Sequence, residues 1–165
     1  MPDERGSTIY AAYIRDQLSD QDARKSSIEQ RGIAVITTSG TLVSLLFGLV
    51  AVLTGADRYQ LPGGAESWLF AAMIFFVVAA VAGIVTNLPL WYIGVKAGDL
   101  RSAVKQKWAD APSVAEQRVA ATNAKVLERA MQLNTAKGFI LLVAITLEVV
   151  AVVCLAGAVR VILLS

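Results

Sequence analysis

Hydrophobic residues are concentrated in three long runs, at 33–56, 67–95 and 138–164. Each run contains the roughly 20 residues that a helix needs to cross about 30 Å of hydrocarbon. We therefore predict an all-α integral membrane protein with three transmembrane helices over these ranges.

The segments between the runs carry most of the charge. We predict an amphipathic helical segment at 1–32, an extracytoplasmic turn at 57–66 and a helical hairpin at 96–137, which extends the second and third membrane helices into the cytoplasm. Within the hairpin, Pro112 ends one helix, and Ser113 with Glu116 forms the S-x-x-E spacing of a capping box. A new helix is expected to start there and to run without interruption into the third span.

The N-terminal segment shows a weaker version of the same signals. Ser26 and Glu29 repeat the S-x-x-E spacing, which predicts a helix break just before the first span. Ahead of it lies a short apolar stripe, expected to pack on protein, formed by Tyr10, Tyr13, Ile14 and Leu18.

The distribution of Lys and Arg predicts the orientation, since cytoplasmic loops are enriched in both. Basic residues are frequent before the first span and between the second and third, whereas the 57–66 turn contains only Arg58. The N-terminus and the hairpin are therefore expected in the cytoplasm and the C-terminus outside. Trp68 then falls at the outer interface, and Trp91 with Tyr92 at the inner one.

The amino-acid composition argues against several classes of function. The chain is 56% hydrophobic, has a formal net charge of only +2, and contains no His and one Cys. It has no phosphate-binding loop, catalytic triad or metal-ligand cluster. We therefore expect neither enzyme activity nor a cofactor, metal site or nucleic-acid partner.

Each predicted span has one face of small or polar residues, the kind that lets membrane helices approach closely. We expect these three faces to converge. Their members are Gly40, Ser44 and Gly48 with Thr37 and Thr41 in the first span, Ala79, Gly83 and Asn87 in the second, and Ala144 and Glu148 in the third.

Glu148 is an acidic residue in the middle of the third span. Counting about 1.5 Å per residue from Lys137 and Arg31 places it level with Thr41 or Ser44, while Asn87 lies nearer the cytoplasm. A carboxyl buried without a cation is expected to hold its proton and to donate to a hydroxyl. Two roles stay open, a structural contact within or between subunits and an ion or proton site that could line a constriction in a ring of copies.

The hairpin offers candidate ligand contacts. Asn123 lies in a narrow apolar seam with Val119, Val126, Ala130 and Leu133, where it either sets helix register or contacts a ligand. The opposite side presents Arg118, Lys125 and Arg129, which form either a solvated surface or a basic ligand site. Pro89, near the inner end of the second span, predicts a kink that could serve as a hinge.

Three features of the chain are shared with a known family. A charged segment runs straight into the first span ("SSIEQRGIAVI"), a proline lies near the inner end of the second, and a helix containing Asn and Lys leads into the third ("ATNAKVLERAMQLNTAKGF"). In these features the chain resembles the Pycsar-type transmembrane effectors and the SLATT membrane modules of bacterial nucleotide-activated defence systems. It has Glu29-Gln30-Arg31 where the family often has Asp-x-Lys-Ala.

The resemblance implies an effector that senses a cyclic nucleotide made by a partner cyclase and then impairs the bacterial inner membrane. The continuous hairpin-to-span helices and Glu148 favour a homo-oligomer, in which a cytoplasmic signal rearranges the hairpin and opens the packed spans. Two other functions stay open on the residues alone. One is a membrane anchor whose hairpin docks a cytoplasmic protein, and the other is a small ion or proton channel.

Overall fold

The computed structural model of the protein describes residues 4–55, 62–88, 98, 101–102, 105 and 111–164. Its described part consists of helices without strands: α1 (Glu4–Gly55), α2 (Gly63–Asn87) and α3 (Pro112–Leu164). All three are long and apolar enough to cross a membrane. The predicted all-α class is confirmed for the described residues, and the three predicted spans correspond to three helices whose length and composition are those of a multi-pass membrane protein.

Helix α1 runs through the predicted break as one helix of 52 residues. The prediction from Ser26 and Glu29 was wrong, because a capping residue must leave the helical conformation and no Pro or Gly between 7 and 31 favours that. The boundary between the segments 1–32 and 33–56 is therefore a change of composition within one helix.

Helix α2 begins at Gly63, four residues before the predicted start. The carbonyl oxygen of Pro62 accepts hydrogen bonds from the amides of Ala65 at 2.8 Å and Glu66 at 3.3 Å. The predicted turn residues Gly63 and Gly64 thus belong to the first helical turn.

The other end of α2 lies at Asn87, whereas the prediction carried the second span to residue 95. Leu88 is extended, with φ −61° and ψ 136°. The residue before a proline is driven out of the helical region by the proline ring, so the helix ends ahead of Pro89. Pro89 itself, Trp91 and Tyr92 lie outside the described residues.

Helix α3 confirms that one helix leads from the hairpin segment into the third span. Its first residue is Pro112, and the carbonyl oxygen of Ala111 accepts from the amides of Val114 at 3.0 Å and Ala115 at 3.1 Å. Proline is well tolerated at the first helical position, where its missing N–H would have no partner anyway. The helix therefore starts one residue before the predicted cap at Ser113. Most of 89–110 lies outside the described residues, so the hairpin stays a prediction.

The chain divides into two compact units, unit 1 (Met1–Ser27 with Pro89–Ala136) and unit 2 (Ile28–Leu88 with Lys137–Ser165). In unit 2 the buried positions alternate steps of three and four residues. The clearest example is α2, whose buried residues are Ala65, Leu69, Ala72, Phe76, Ala79, Gly83 and Thr86. An average step of 3.5 residues is the pattern of helices that coil around one another with a left-handed twist.

Small residues alternate with large ones on these buried faces. Phe76 is fully buried in a cluster with Leu46, Ala151 and Ala158, among others. A second cluster contains Ile28, Val35, Ala79, Leu141 and Ala144. Because lipid gives little hydrophobic reward for helix pairing, close packing around alanine and glycine supplies most of the attraction.

In unit 1 the residues of the predicted apolar stripe differ in solvent exposure. Ile14 and Leu18 are partly buried, but Tyr10 and Tyr13 are 71% and 61% exposed. The two tyrosines lie beside the three-four repeat that runs from the buried Ala11 through Ile14 and Leu18, so the helix turns them outward.

Candidate intramembrane polar site

Glu148 contacts α1 through a serine. The hydroxyl of Ser39 donates to Oε1 of Glu148 at 3.3 Å. Ser39 is fully buried and Glu148 is partly buried. The acidic side chain in the most apolar part of α3 thus has a hydrogen-bonding partner within the same chain, as expected for a polar group that faces protein.

The predicted partners Thr41 and Ser44, with Thr37 beside them, do not lie at this contact. All three are exposed, and each hydroxyl donates to the carbonyl oxygen four residues earlier: Thr37 to Ile33 at 3.0 Å, Thr41 to Thr37 at 2.8 Å and Ser44 to Gly40 at 2.9 Å. A hydroxyl bonded to its own helix is compatible with a lipid-facing position.

The depth along α1 and the face of α1 together explain the difference. Lys137 Nζ donates to Glu29 Oε1 at 2.9 Å, which pairs positions 108 residues apart, and the Ser39–Glu148 contact pairs positions 109 apart. Ser44, at a separation of 148 − 44 = 104, lies more than one turn too far along α1, whereas Thr41, at 148 − 41 = 107, lies at nearly the right depth but about 200° around the helix from the buried Ser39. The prediction took Arg31 as level with Lys137, but the ion pair places Glu29 there.

The Glu29–Lys137 ion pair is the polar contact that the sequence analysis missed. The Lys137 side chain is 5% exposed and that of Glu29 is 31% exposed. A cation withdrawn so far from water is stabilised only when an acceptor with good geometry faces it. The available signal was one acid four residues before the first apolar run and one cation directly before the third.

Near the ion pair in sequence, the backbones of α1 and α2 are in direct contact. A side chain added at Gly32 would collide with Thr86 Oγ1 and would lie 2.7 Å from Asn87 Nδ2, and one added at Gly83 would lie 3.0 Å from the Gly32 carbonyl oxygen. Both polar side chains bond to α2 itself. Thr86 Oγ1 donates to the Gly83 carbonyl oxygen at 2.7 Å, and Asn87 Nδ2 donates to the same oxygen at 3.0 Å. Asn87 therefore lies at the contact between Gly32 and Gly83. On α1 this contact is about one turn beyond Glu29.

The predicted convergence of faces with small residues is correct for α2 and α3 and wrong for α1. Ala79, Gly83 and Ala144 are buried. On α1, however, Gly40 and Gly48 have no atom within 4 Å of an added Cβ, and Ser44 is exposed. The packed face of α1 is the one that carries Gly32, Val35, Ser39 and Leu46.

The hairpin candidates in unit 1 are mostly on the surface. Arg118, Lys125 and Arg129 are exposed, and Asn123 is partly buried. Val119, at the start of the predicted seam, is 57% exposed. These residues therefore do not enclose a pocket in the described part of unit 1.

The buried asparagine of unit 1 is Asn134, which the sequence analysis did not single out. Its Nδ2 donates to the Gln21 carbonyl oxygen at 2.9 Å and to Gln21 Oε1 at 3.1 Å. It lies four residues after the buried Ala130, on the three-four repeat, and this spacing was the signal that could have found it.

The described residues contain no group of three or more His, Cys, Asp or Glu side chains that could hold a metal ion, and Cys154 is a buried free thiol. The fold and these contacts are those of a helical protein suited to cross a membrane several times, with partly buried polar pairs between its helices. No family model, no curated protein and no solved structure matches the chain.

Proposed function

We propose that this protein is an oligomeric effector of a bacterial inner membrane that permeabilises the membrane in response to a cytoplasmic signal. The Ser39–Glu148 contact is the observation that carries the proposal. A single hydroxyl at 3.3 Å is a weak partner for a carboxyl group. Such a contact can be exchanged for another when the helices move.

The length of two helices supports a path for the signal. Helices α1 and α3 contain 52 and 53 residues, more than twice the roughly 20 residues that a helix needs to cross the hydrocarbon of a bilayer. Each has a charged N-terminal part and an apolar C-terminal part. A tilt or rotation of the charged part would therefore act on the membrane part of the same helix, and the N-terminus is proposed to be cytoplasmic.

The surface of the spans supports assembly. In the most apolar windows of α1 and α3, only 17% and 22% of the residues are buried within one copy. The remainder, including Gly40, Ser44 and Gly48, is available to lipid or to further copies. In a ring of copies, the partly buried Glu148 could form part of a cation-selective constriction.

The signal is proposed to be a small anionic ligand, with a cyclic nucleotide as the first candidate. The exposed cations Arg118, Lys125 and Arg129 supply the charge that a phosphate requires.

The experiment expresses the chain in bacteria together with a potential-sensitive dye and an inducible nucleotide cyclase. We expect depolarisation only when the cyclase is induced. Glu148→Gln should change the depolarisation rate at least severalfold, and the triple change of Arg118, Lys125 and Arg129 to Gln should abolish the response. Thr146→Val is the matched control, because Thr146 is exposed two residues away and bonds to its own helix.

Depolarisation that persists unchanged in both variants would contradict this mechanism. Purified protein in liposomes provides a further test, because conduction without any ligand would instead identify a constitutive ion or proton channel.

A second candidate function is a membrane anchor for a cytoplasmic protein. It is favoured by an exposed apolar patch on unit 1, where Ile9, Tyr10 and Tyr13 are 67%, 71% and 61% exposed. An anchor should leave the membrane potential intact with every nucleotide tried, and it should lose its partner when the two tyrosines are changed to Ser.

A further inference from the structure

A shallow cleft lies in unit 2, where α2 begins and α3 ends. It has a volume of about 470 Å³ and is lined by Trp68, Gly157, Arg160, Val161 and Leu164. Four of these five residues are apolar, and Arg160 is the one cation.

Two glycines allow the helices to form this cleft. A Cβ added at Gly157 would lie 3.2 Å from both Cδ2 and Cε3 of Trp68, so the indole ring lies directly against the α3 backbone. A Cβ added at Gly64 would lie 3.6 Å from Val161 Cγ1. Trp68 remains 44% exposed, so the ring presents surface to a molecule in the cleft.

Arg160 contributes the charge of the cleft. The residue is exposed, and no hydrogen bond or ion pair joins it to the part of the chain that the structure describes. A guanidinium has five N–H donors in a planar fork that matches the oxygens of a phosphate.

The depth of Arg160 matches the phosphate level of a bilayer. It follows Lys137 by 160 − 137 = 23 residues, which is about 34 Å of helix compared with about 30 Å of hydrocarbon. If Lys137 lies at one interface, Arg160 therefore lies at the other. Tryptophan also prefers this region of the membrane.

We propose that this cleft binds an anionic glycerophospholipid, with Arg160 donating to the phosphodiester oxygens and Trp68 contacting the glycerol and the first acyl carbons. A lipid fits better than free phosphate, because one cation among apolar walls offers few donors to a bare anion. An anionic lipid fits better than a zwitterionic one, because a choline group would oppose the guanidinium. The proposal goes beyond the effector function and requires only that the helices span the bilayer.

The experiment uses the full chain in nonionic detergent micelles, with Trp91→Phe and Trp108→Phe, so that Trp68 is the only remaining tryptophan of three. Phosphatidylglycerol or phosphatidylcholine with brominated acyl chains is titrated in, and quenching of Trp68 fluorescence is measured. We expect saturable quenching, with half-saturation at an about tenfold lower mole fraction of phosphatidylglycerol, because both lipids offer phosphodiester oxygens to Arg160 but only phosphatidylcholine also brings a cation that repels the guanidinium.

Arg160→Gln should remove this preference. Arg31→Gln, which removes an exposed cation near the opposite end of the bundle, should retain it. Gly157→Leu should fill the cleft and abolish saturation although Arg160 is still present, with circular dichroism reporting on helical content. Equal half-saturation for the two lipids, or no effect of Arg160→Gln, would overturn the proposal, and competition by millimolar inorganic phosphate would overturn the assignment to a lipid.

Discussion

The two faces of α1 have similar residues and opposite environments. On one face Gly32 and Ser39 are buried against α2 and α3, and on the other Gly40 and Gly48 have nothing within 4 Å of an added Cβ. Small residues at regular steps therefore do not by themselves identify the face that packs within one copy. The packed face is the one whose positions alternate three and four residues in step with the buried positions of its neighbours.

The strongest test of this difference is a bulky side chain on each face. Gly32→Leu should destabilise the helix bundle by about 3 kcal/mol or more, because the new side chain would collide with Thr86 and the helix backbones. Gly40→Leu should change the free energy of unfolding by less than about 0.5 kcal/mol. Unfolding in sodium dodecyl sulfate, followed by circular dichroism, measures both. Equal effects would show that the assignment of faces is wrong.

Breaking the Glu29–Lys137 ion pair is expected to have the next largest effect on the free energy of unfolding. Lys137→Met should cost about 2 kcal/mol, below the 3 to 5 kcal/mol of a fully buried pair, because Glu29 can still reach water. The double variant Lys137→Met with Glu29→Met should recover most of this loss, since no charge is left without a partner. A double variant as unstable as the single one would contradict the pairing.

The same contrast between buried and partly exposed positions can be tested in unit 1 with two asparagines. Asn134→Ala should cost about 1.5 kcal/mol, because it leaves the Gln21 carbonyl oxygen without its buried donor. Asn123→Ala, at a partly buried position, should cost about 0.5 kcal/mol or less. Chemical unfolding of the two variants in the same detergent compares them directly, and the reverse order would restore Asn123 as the residue that sets register.

The smallest effect concerns the hydroxyls of α1. Ser39→Ala should cost about 0.6 kcal/mol, the average measured for hydrogen bonds between membrane helices. Thr41→Ala should be close to neutral, since its hydroxyl bonds only to its own helix. A double-mutant cycle with Glu148→Gln isolates the Ser39–Glu148 term, and a coupling energy near zero would remove this contact from the mechanism.

Several parts of the site could be predicted from sequence and others could not. Ala79, Gly83 and Ala144 were placed correctly, because their helices each have one face of small residues. The partner of Glu148 was missed by two positions, because depth counted from charged residues does not show which face of α1 a residue occupies. Arg31 and Glu29 are one half-turn apart, and a half-turn moves the contact to the opposite side of α1.

By itself the sequence determined the helical class, three segments long and apolar enough to cross a membrane, and the start of α3 at Pro112, and it also contains in Pro89 the local cause of the end of α2, although the prediction carried that span to residue 95. These features depend on local properties, namely the length of apolar runs and the steric restrictions of proline, which act within a few residues. Only the tertiary structure decided the packed face of α1, the Glu29–Lys137 and Ser39–Glu148 pairs, and the burial of Asn134. Each of these depends on how far one helix is shifted along and rotated against another. The axial shift and the rotation are determined by contacts between residues that are far apart in the chain.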